Sequence, residues 1–539
     1  MSNASLARIA ARFATLGLAE RQAVYGRLRE QGLSPGQFPI VPASAAERGG
    51  LSPAQQRQWF LWRLAPDSTA YHISGGLRLR GDLDVAALQT ALDALAQRHA
   101  ALRTRFELDA HGAPVQRVLD AGALPLERID LAVPASGDRE AAFAQAAGGL
   151  NGRAFDLLSG PLARFALLRA AKDDHVLVGV LHHIVADGWS MQVLLDELAA
   201  CYRAALENAP VALAPLLVDY ADYAAWQRSW LAAGEEARQL EYWRAQLGGE
   251  EPWLQLPVDG MRGSDNVFRA GRQQIVLPAG MPERLRRACQ REGCTLFSVL
   301  LGAFQVLLHR ESGLDDIRVG VPTANRGRQD TAGLVGLFVN TQVLRNVLSG
   351  ADTLAEAVAR ASDAMIQAQA HGELPLDRIV DALQLARSAQ RNPLFQVMAN
   401  HLRDDYDALA ALPGLTLTPF AVPLDDTPFE LTLETREDTA GGLTASVIYA
   451  ADLFSVERMA RLARRYVRVL SGWLDAPGTR VAELPWLEAE DERELLAQGD
   501  GGAARRVPSV PEQLAAQAAA TPDAPALAMG GVSLRYAEL

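Results

Sequence analysis

The sequence predicts an α/β protein built from two similar halves in one chain. Three observations predict it. Strand-like runs alternate with helical periods along most of the 539 residues. The alternation runs twice, over 51–207 and again over 273–474, and each pass has the length of an ordinary domain. The first pass closes on an unusual stretch, Leu181-His182-His183-Ile184-Val185-Ala186-Asp187-Gly188-Trp189-Ser190. There a buried-strand pattern hands over to a helix through two histidines, an acid and a glycine. Strand ends and the loops after them are where α/β proteins place chemistry.

Composition narrows the function. Hydrophobic residues make up 49% of the chain, enough for a substantial core, and no apolar run reaches the length of a membrane helix. The start does not read as a signal peptide, so the expected location is cytoplasmic, away from membranes. The net charge of −12 argues against wrapping nucleic acid. Cys201, Cys289 and Cys294 lack metal-type spacing and read as reduced thiols.

The elements follow in order. Two helical patterns, at 5–13 and 21–29, carry more arginine than acid. They suit either a docking pair for an acidic partner or a hairpin packed on the main body. A Pro/Gly break at 33–39 begins a linker. Helix 52–62 has Pro53 at its first position. Strand 71–80, helix 84–100, strand 115–118, helix 140–148 and strands 162–168 and 175–180 follow. Helix 190–207, with Ser190 in the cap position, ends at Asn208-Ala209-Pro210. A long amphipathic stretch, 218–247, connects the halves. The second half reads as strand 273–277, helices 282–292 and 295–310, and strand 317–322. Helices 353–369 and 377–385, strands 394–400, 429–434 and 443–449, and a closing helix 455–474 complete it. Residues 511–539 open a new helix-then-strand pattern that reads as the cut-off start of another domain. The expected organisation is a helical docking or linker segment at 1–49, lobes at 50–215 and 216–490, a linker at 491–510, and the further domain from 511.

Adjacent strand residues point to opposite faces, so His182 and His183 do not serve as twin ligands. One faces the core and the other a cavity. A neutral imidazole takes up a proton near pH 7, so a lone histidine on such a loop suits proton transfer or hydrogen-bonded positioning. Asp187 is either its orienting partner in a triad-like arrangement or a structural acid. Gly188 permits the turn and lets the backbone approach a ligand.

The stretch 181–190 matches H-H-x-x-x-D-G, and further motifs accompany it. Ser52 to Leu64 resembles S-x-A-Q-x-R-x-W. Arg98 to Phe106 resembles R-H-x-x-L-R-T-x-F, with Ala100 in place of a usual glutamate. Tyr220 to Trp226 resembles Y-x-D-[FY]-A-x-W, and Gly336 to Arg345 contains G-x-F-V-N-T-Q. His371 to Asp377 is a weaker match to H-Q-D-x-P-F-E, and Arg391 to Met398 matches a seventh motif. In this order over 51–490 they resemble the condensation domains of nonribosomal peptide synthetases. Residues 511–539 resemble the start of an adenylation domain, cut before any ATP-binding motif.

The resemblance implies two chloramphenicol-acetyltransferase-like lobes forming a V-shaped pseudo-dimer with a central tunnel. It implies an amide-forming acyltransferase in antibiotic or other secondary metabolism. The chain itself would bind no cofactor or metal. The 4'-phosphopantetheine arms of an upstream donor and a downstream acceptor carrier domain would bring the substrates to a monomer with an adjoining adenylation domain. His183 is then the functional histidine and His182 a core residue pinning the loop. Asp187 is a structural brace, paired with Arg326 or, second, Arg345. Trp189 is a gate on the acceptor side or a packing residue, Asn340 and Ser52 are tunnel residues, and Arg103 and Trp226 are structural. The residues 59–62, 70–73 and 187–190 look more like domains joining a D-configured donor to an L acceptor, with an L-donor or dual-function subtype behind. A stand-alone CoA-type acyltransferase and a non-catalytic carrier-docking platform are the alternatives.

Overall fold

The computed structural model describes all residues except 1–2, 34–35, 37, 121–123, 133–137, 264–266, 386–391, 411, 488 and 501–506. Part of the 33–39 break, Arg391 at the head of the seventh motif and part of the 491–510 linker therefore lie outside the described residues. The chain divides into two units, Met1–Leu484 and Pro485–Leu539.

The first unit is built on two sheets. In the five-stranded sheet the central strand, Asp174–His182, is buried along its whole length. Its run of Val, Leu and Gly suits a position covered on both faces. It pairs antiparallel with His72–Gly81 on one side and with Ala163–Ala171 on the other. Leu126–Asp130 closes one edge in parallel. Alternation sends Leu177 and Leu181 into one core, under the helices Val85–Arg98 and Gly188–Glu207. Val176, Val178 and Val180 go into the other, with Trp59, Phe106, Phe143 and Phe155.

The seven-stranded sheet runs Asp426–Thr427, Phe268–Ile275, Leu443–Ala450, Leu431–Asp438, Val397–Asp404, Asp316–Thr323, Asn340–Val347. The helix Leu296–Ser312, almost wholly buried, packs between the helices Leu354–Gln369 and Val456–Asp475. No single helix among the described residues is long and apolar enough to cross a membrane.

The lobes are not divided in space as the sequence divides them. Leu415–Phe420, from the second half, adds antiparallel to His72–Gly81 and becomes an edge of the first sheet. The 50–215 and 216–490 boundaries do not anticipate this exchange. The N-terminal helices Asn3–Thr15 and Leu18–Glu30 are part of the same unit, with Tyr25 buried against Trp230 and Ala233.

The second unit holds the helices Ala489–Gly499 and Val510–Ala520 and an antiparallel hairpin of Pro525–Met529 with Val532–Arg535. About half of the expected 491–510 linker is therefore helical, in keeping with its acid-rich first turn, Glu490-Asp491-Glu492.

Candidate functional site

The site forms where the central strand Asp174–His182 ends. His182 donates its backbone N–H to Leu162 and His183 donates its own to Tyr71, so the chain is still held on both sides as it leaves the sheet. The two side chains then part. His182 is 4% exposed, edge-on to Phe155 and near His72. Its Nδ1 accepts the N–H of Ile184 at 3.1 Å, so in the neutral ring the proton sits on Nε2. Burial pushes its pKa down to about 3. It is a neutral residue pinning the turn.

His183 is half-buried and carries the opposite tautomer. Its Nδ1 lies 3.0 Å from the carbonyl oxygen of Ala186. A carbonyl can only accept, so Nδ1 holds the proton and Nε2 keeps a free lone pair. Burial lowers its pKa, Asp187 opposes that shift, and the charge of Arg57 adds to it. The ring is therefore neutral near pH 7, with a basic nitrogen on offer.

Asp187 does not complete a triad. Its Oδ1 accepts from Ser190 N at 2.8 Å, Ser190 Oγ at 2.7 Å and Arg326 Nη2 at 3.0 Å. Its Oδ2 accepts from the N–H of Phe338 at 2.9 Å. Asp187, not Ser190, is thus the cap of the helix Gly188–Glu207, and Ser190 sits within its first turn. The Arg326 side chain is 1% exposed and that of Asp187 2%. Arg326 also donates to the carbonyls of Thr331 and Leu334 and lies 4.0 Å over the Phe338 ring. Arg345, the second choice, is not the partner: its Nε donates to Asp316 at 3.0 Å, across the pair of strands that carries both residues.

The remaining expected residues divide. Ser52 is fully buried and is not a cavity residue: it caps the helix Pro53–Leu64 and hydrogen-bonds Tyr220 Oη at 2.7 Å. Tyr220 in turn donates to Leu337, and a Cβ at Gly336 would lie 2.0 Å from its ring, which explains the glycine of that motif. Asn340 donates to the carbonyls of Gly372 and Leu374 at 2.8 and 2.7 Å, so it ties two motifs together. Trp189 is 48% exposed, with Nε1 donating to Ala332 at 2.9 Å. Gly188 does not have the left-handed φ that its expected turn role requires. It is exposed, and a Cβ there would meet nothing within 4 Å. Arg103 holds the carbonyls of Ala96 and Leu119, and Trp226 stacks on Trp230 at 5.0 Å.

Sequence reasoning missed a second charged group whose field reaches His183. Arg57 of the helix Pro53–Leu64 lies 3.9 Å from Asp377 of the helix Leu376–Ala382. The Tyr71 phenol, its pKa raised by burial, feels both charges. Arg57 and Asp377 stand at the arginine of the first motif and the acid that ends the sixth, which was the available signal. Among the described residues no group of three or more His, Cys, Asp or Glu gathers as a metal site would require.

The condensation-domain family model matches residues 47–496. A linear gramicidin synthase protein of Brevibacillus parabrevis is 40% identical over 505 residues, which cover 93% of this chain and 6% of that protein. Phosphinothricin tripeptide synthetase PhsB of Streptomyces viridochromogenes is 36% identical over 511 residues, which cover 93% of this chain and 42% of that one. The chain thus spans less than half the length of each curated relative named here. Among solved structures, the X-domain from teicoplanin biosynthesis matches at TM-score 0.74 and 31% identity, over 83% of this chain and all of that one. The first condensation domain of the calcium-dependent antibiotic synthetase matches in fold at TM-score 0.68 and 22% identity, over 82% of this chain and 99% of that one. The chain belongs to the condensation-domain family of nonribosomal peptide synthetases.

Proposed function

We propose that this chain forms a peptide bond between an upstream carrier-bound acyl thioester and the amine of a downstream carrier-bound aminoacyl thioester. The observation that carries the reading is the tautomer of His183: Nδ1–H fixed on Ala186, Nε2 free, the residue half-buried. The substrates arrive on phosphopantetheine arms of partner carrier domains, through a tunnel between the lobes that meets His183 midway. An adenylation domain downstream charges the acceptor.

Aminolysis of a thioester is downhill, so holding the two reactants in line supplies much of the rate. The amine nitrogen attacks the thioester carbonyl carbon. As the C–N bond forms, a proton passes from the amine to His183 Nε2. The tetrahedral oxygen faces the first turn of the helix Gly188–Glu207, whose leading amides have no intrahelical acceptor. Collapse breaks the C–S bond, and the leaving thiolate takes the proton from the imidazolium. Asp187 and Arg326 do not touch the reactants in this scheme and hold the loop that presents His183.

The D-donor, L-acceptor subtype is the finer proposal, supported by the residue pattern at 59–62, 70–73 and 187–190. The test loads donor and acceptor carriers with defined aminoacyl groups and follows dipeptidyl thioester by mass spectrometry. Product from a D donor at well above the L-donor rate is the expected result. Preference for the L donor removes the subtype, and no product from either donor removes the condensation reading.

A further inference from the structure

The N-terminal helices join the rest of their unit through a buried polar chain that ends on segment 370–374. Tyr25, on the helix Leu18–Glu30, is 8% exposed, and its hydroxyl donates to Glu235 Oε2 at 2.5 Å. Glu235 ends the wide turn Leu231–Glu235, where Gly234 has φ +133°. A Cβ on Gly234 would come within 3.0 Å of the Tyr25 ring, so the turn is shaped to receive it. Glu235 Oε1 accepts from Gln239 Nε2 at 2.7 Å, and Arg238 chelates the same carboxylate. Gln239, 1% exposed, turns its Oε1 to the backbone N–H of Leu374 at 2.7 Å. Arg238 and Trp243 take the carbonyls of Ala370 and His371 at 3.3 and 3.0 Å. Segment 370–374 is thus held by the helix Glu236–Leu247 on one side and by Asn340 on the other. Three residues beyond Leu374 comes Asp377, paired with Arg57, whose charge acts on His183.

We infer that the N-terminal helix pair is a positioning element of the reaction site: seating Tyr25 on Glu235 fixes segment 370–374 and so sets Asp377 against Arg57, whose charge reaches His183. A buried polar network whose members are all satisfied holds one geometry, and removing one member loosens its neighbours. Helices of 13 residues are marginal alone in water, so their order and the Tyr25 seat depend on each other. The sixth-motif departure has its place here. A Cβ at Gly372 would lie 2.1 Å from Gln342 Nε2, so a side chain at 372 would require Gln342 to move.

The kinetic part of this inference rests on the proposed role of His183, and the exchange part does not. The experiment compares wild type with Tyr25→Phe, Gln239→Leu, their double variant and Asp377→Asn. It reads hydrogen exchange over 370–377 and the pH profile of condensation between loaded carriers. Tyr25→Phe and Gln239→Leu should each speed exchange over 370–377 and lower kcat roughly 2- to 30-fold. The double variant should be no worse than the worse single one, as for links of one chain. Glu373 lies in the same segment and burial raises its pKa to about 7, so the acid limb of kcat is read in a Glu373→Gln background, where Tyr25→Phe should move it with the same sign as Asp377→Asn, a half-exposed substitution. Tyr25→Phe that lowers the melting temperature yet leaves exchange over 370–377 and the acid limb unmoved overturns the inference. Additive losses in the double variant also overturn it. A wild type without condensation activity removes the functional reading, while the exchange data still decide this one.

Discussion

The loop 182–190 has a sealed side and an open side. On the sealed side Asp187, Ser190 and Arg326 are buried, and both carboxylate oxygens of Asp187 are engaged. On the open side His183 keeps an unengaged nitrogen, Gly188 faces empty space and Trp189 is half-exposed. Apart from Arg326, the two sides lie within nine residues and share one motif. The difference teaches that the motif combines two functions. The acid ties the first sheet's helix to the second lobe, and the histidine is left free because the acid is fully occupied elsewhere.

Several substitutions break or sharpen that contrast. The largest effect should come from the sealed side. Arg326→Ala leaves a buried, unpaired Asp187 carboxylate and should cost about 3–5 kcal/mol of stability in urea unfolding. A loss under 1 kcal/mol would show that the brace is dispensable. Next is His182, whose folded pKa of about 3 lies below the usual histidine value. Between the two pH values the unfolded chain binds a proton that the native chain does not. Stability is therefore fully present above pH ~6.5 and is lost as pH falls toward 3. Unfolding at pH 4.5 should show a loss of about 2–3 kcal/mol relative to pH 7 from this group, and His182→Asn should flatten that slope. Trp189→Phe removes one hydrogen bond at an exposed position and should cost about 1 kcal/mol. Gly188→Ala should change stability by less than about 0.5 kcal/mol, since neither φ nor space forbids it. If substrate passes over this exposed face of the loop, the added methyl should still slow condensation. Unchanged turnover there would mean that substrate does not approach Gly188.

Much of this was legible in the residues. The strand–loop–helix at 175–207 follows from a β-branched run and a helical apolar period, although the cap is Asp187 rather than Ser190 and Gly188 takes no special turn conformation. The choice of His183 over His182, and of Arg326 as the brace, came from the family resemblance. The structure places His182 in the core and Arg326 on Asp187. The misses share a cause. Leu415–Phe420 is a short edge strand with no pattern that names its partner, so its joining the first sheet is decided by tertiary packing. Ser52 looked like a cavity residue because its motif is functional, yet its hydroxyl is used in a cap. Arg345 competed with Arg326 because charge and lobe alone cannot separate two arginines. Their strand positions can, since Arg345 lies within the ladder opposite Arg318, beside Asp316, and Arg326 lies on the loop beyond it. The Arg57–Asp377 pair joins residues 320 positions apart, a contact that no local spacing encodes.

The central claim is that His183 acts on the reactants while the rest of its loop is scaffold. The most direct test is single-turnover amide formation between loaded carriers by wild type and His183→Ala, with melting temperatures measured on the same samples. The account predicts a rate lower by about 100-fold or more in the variant, which stays folded at the assay temperature despite the small loss expected from its Ala186 hydrogen bond, and a wild-type acid limb below pH ~6.5. Equal rates in the two proteins, or a loss of rate that appears only together with unfolding, would contradict it.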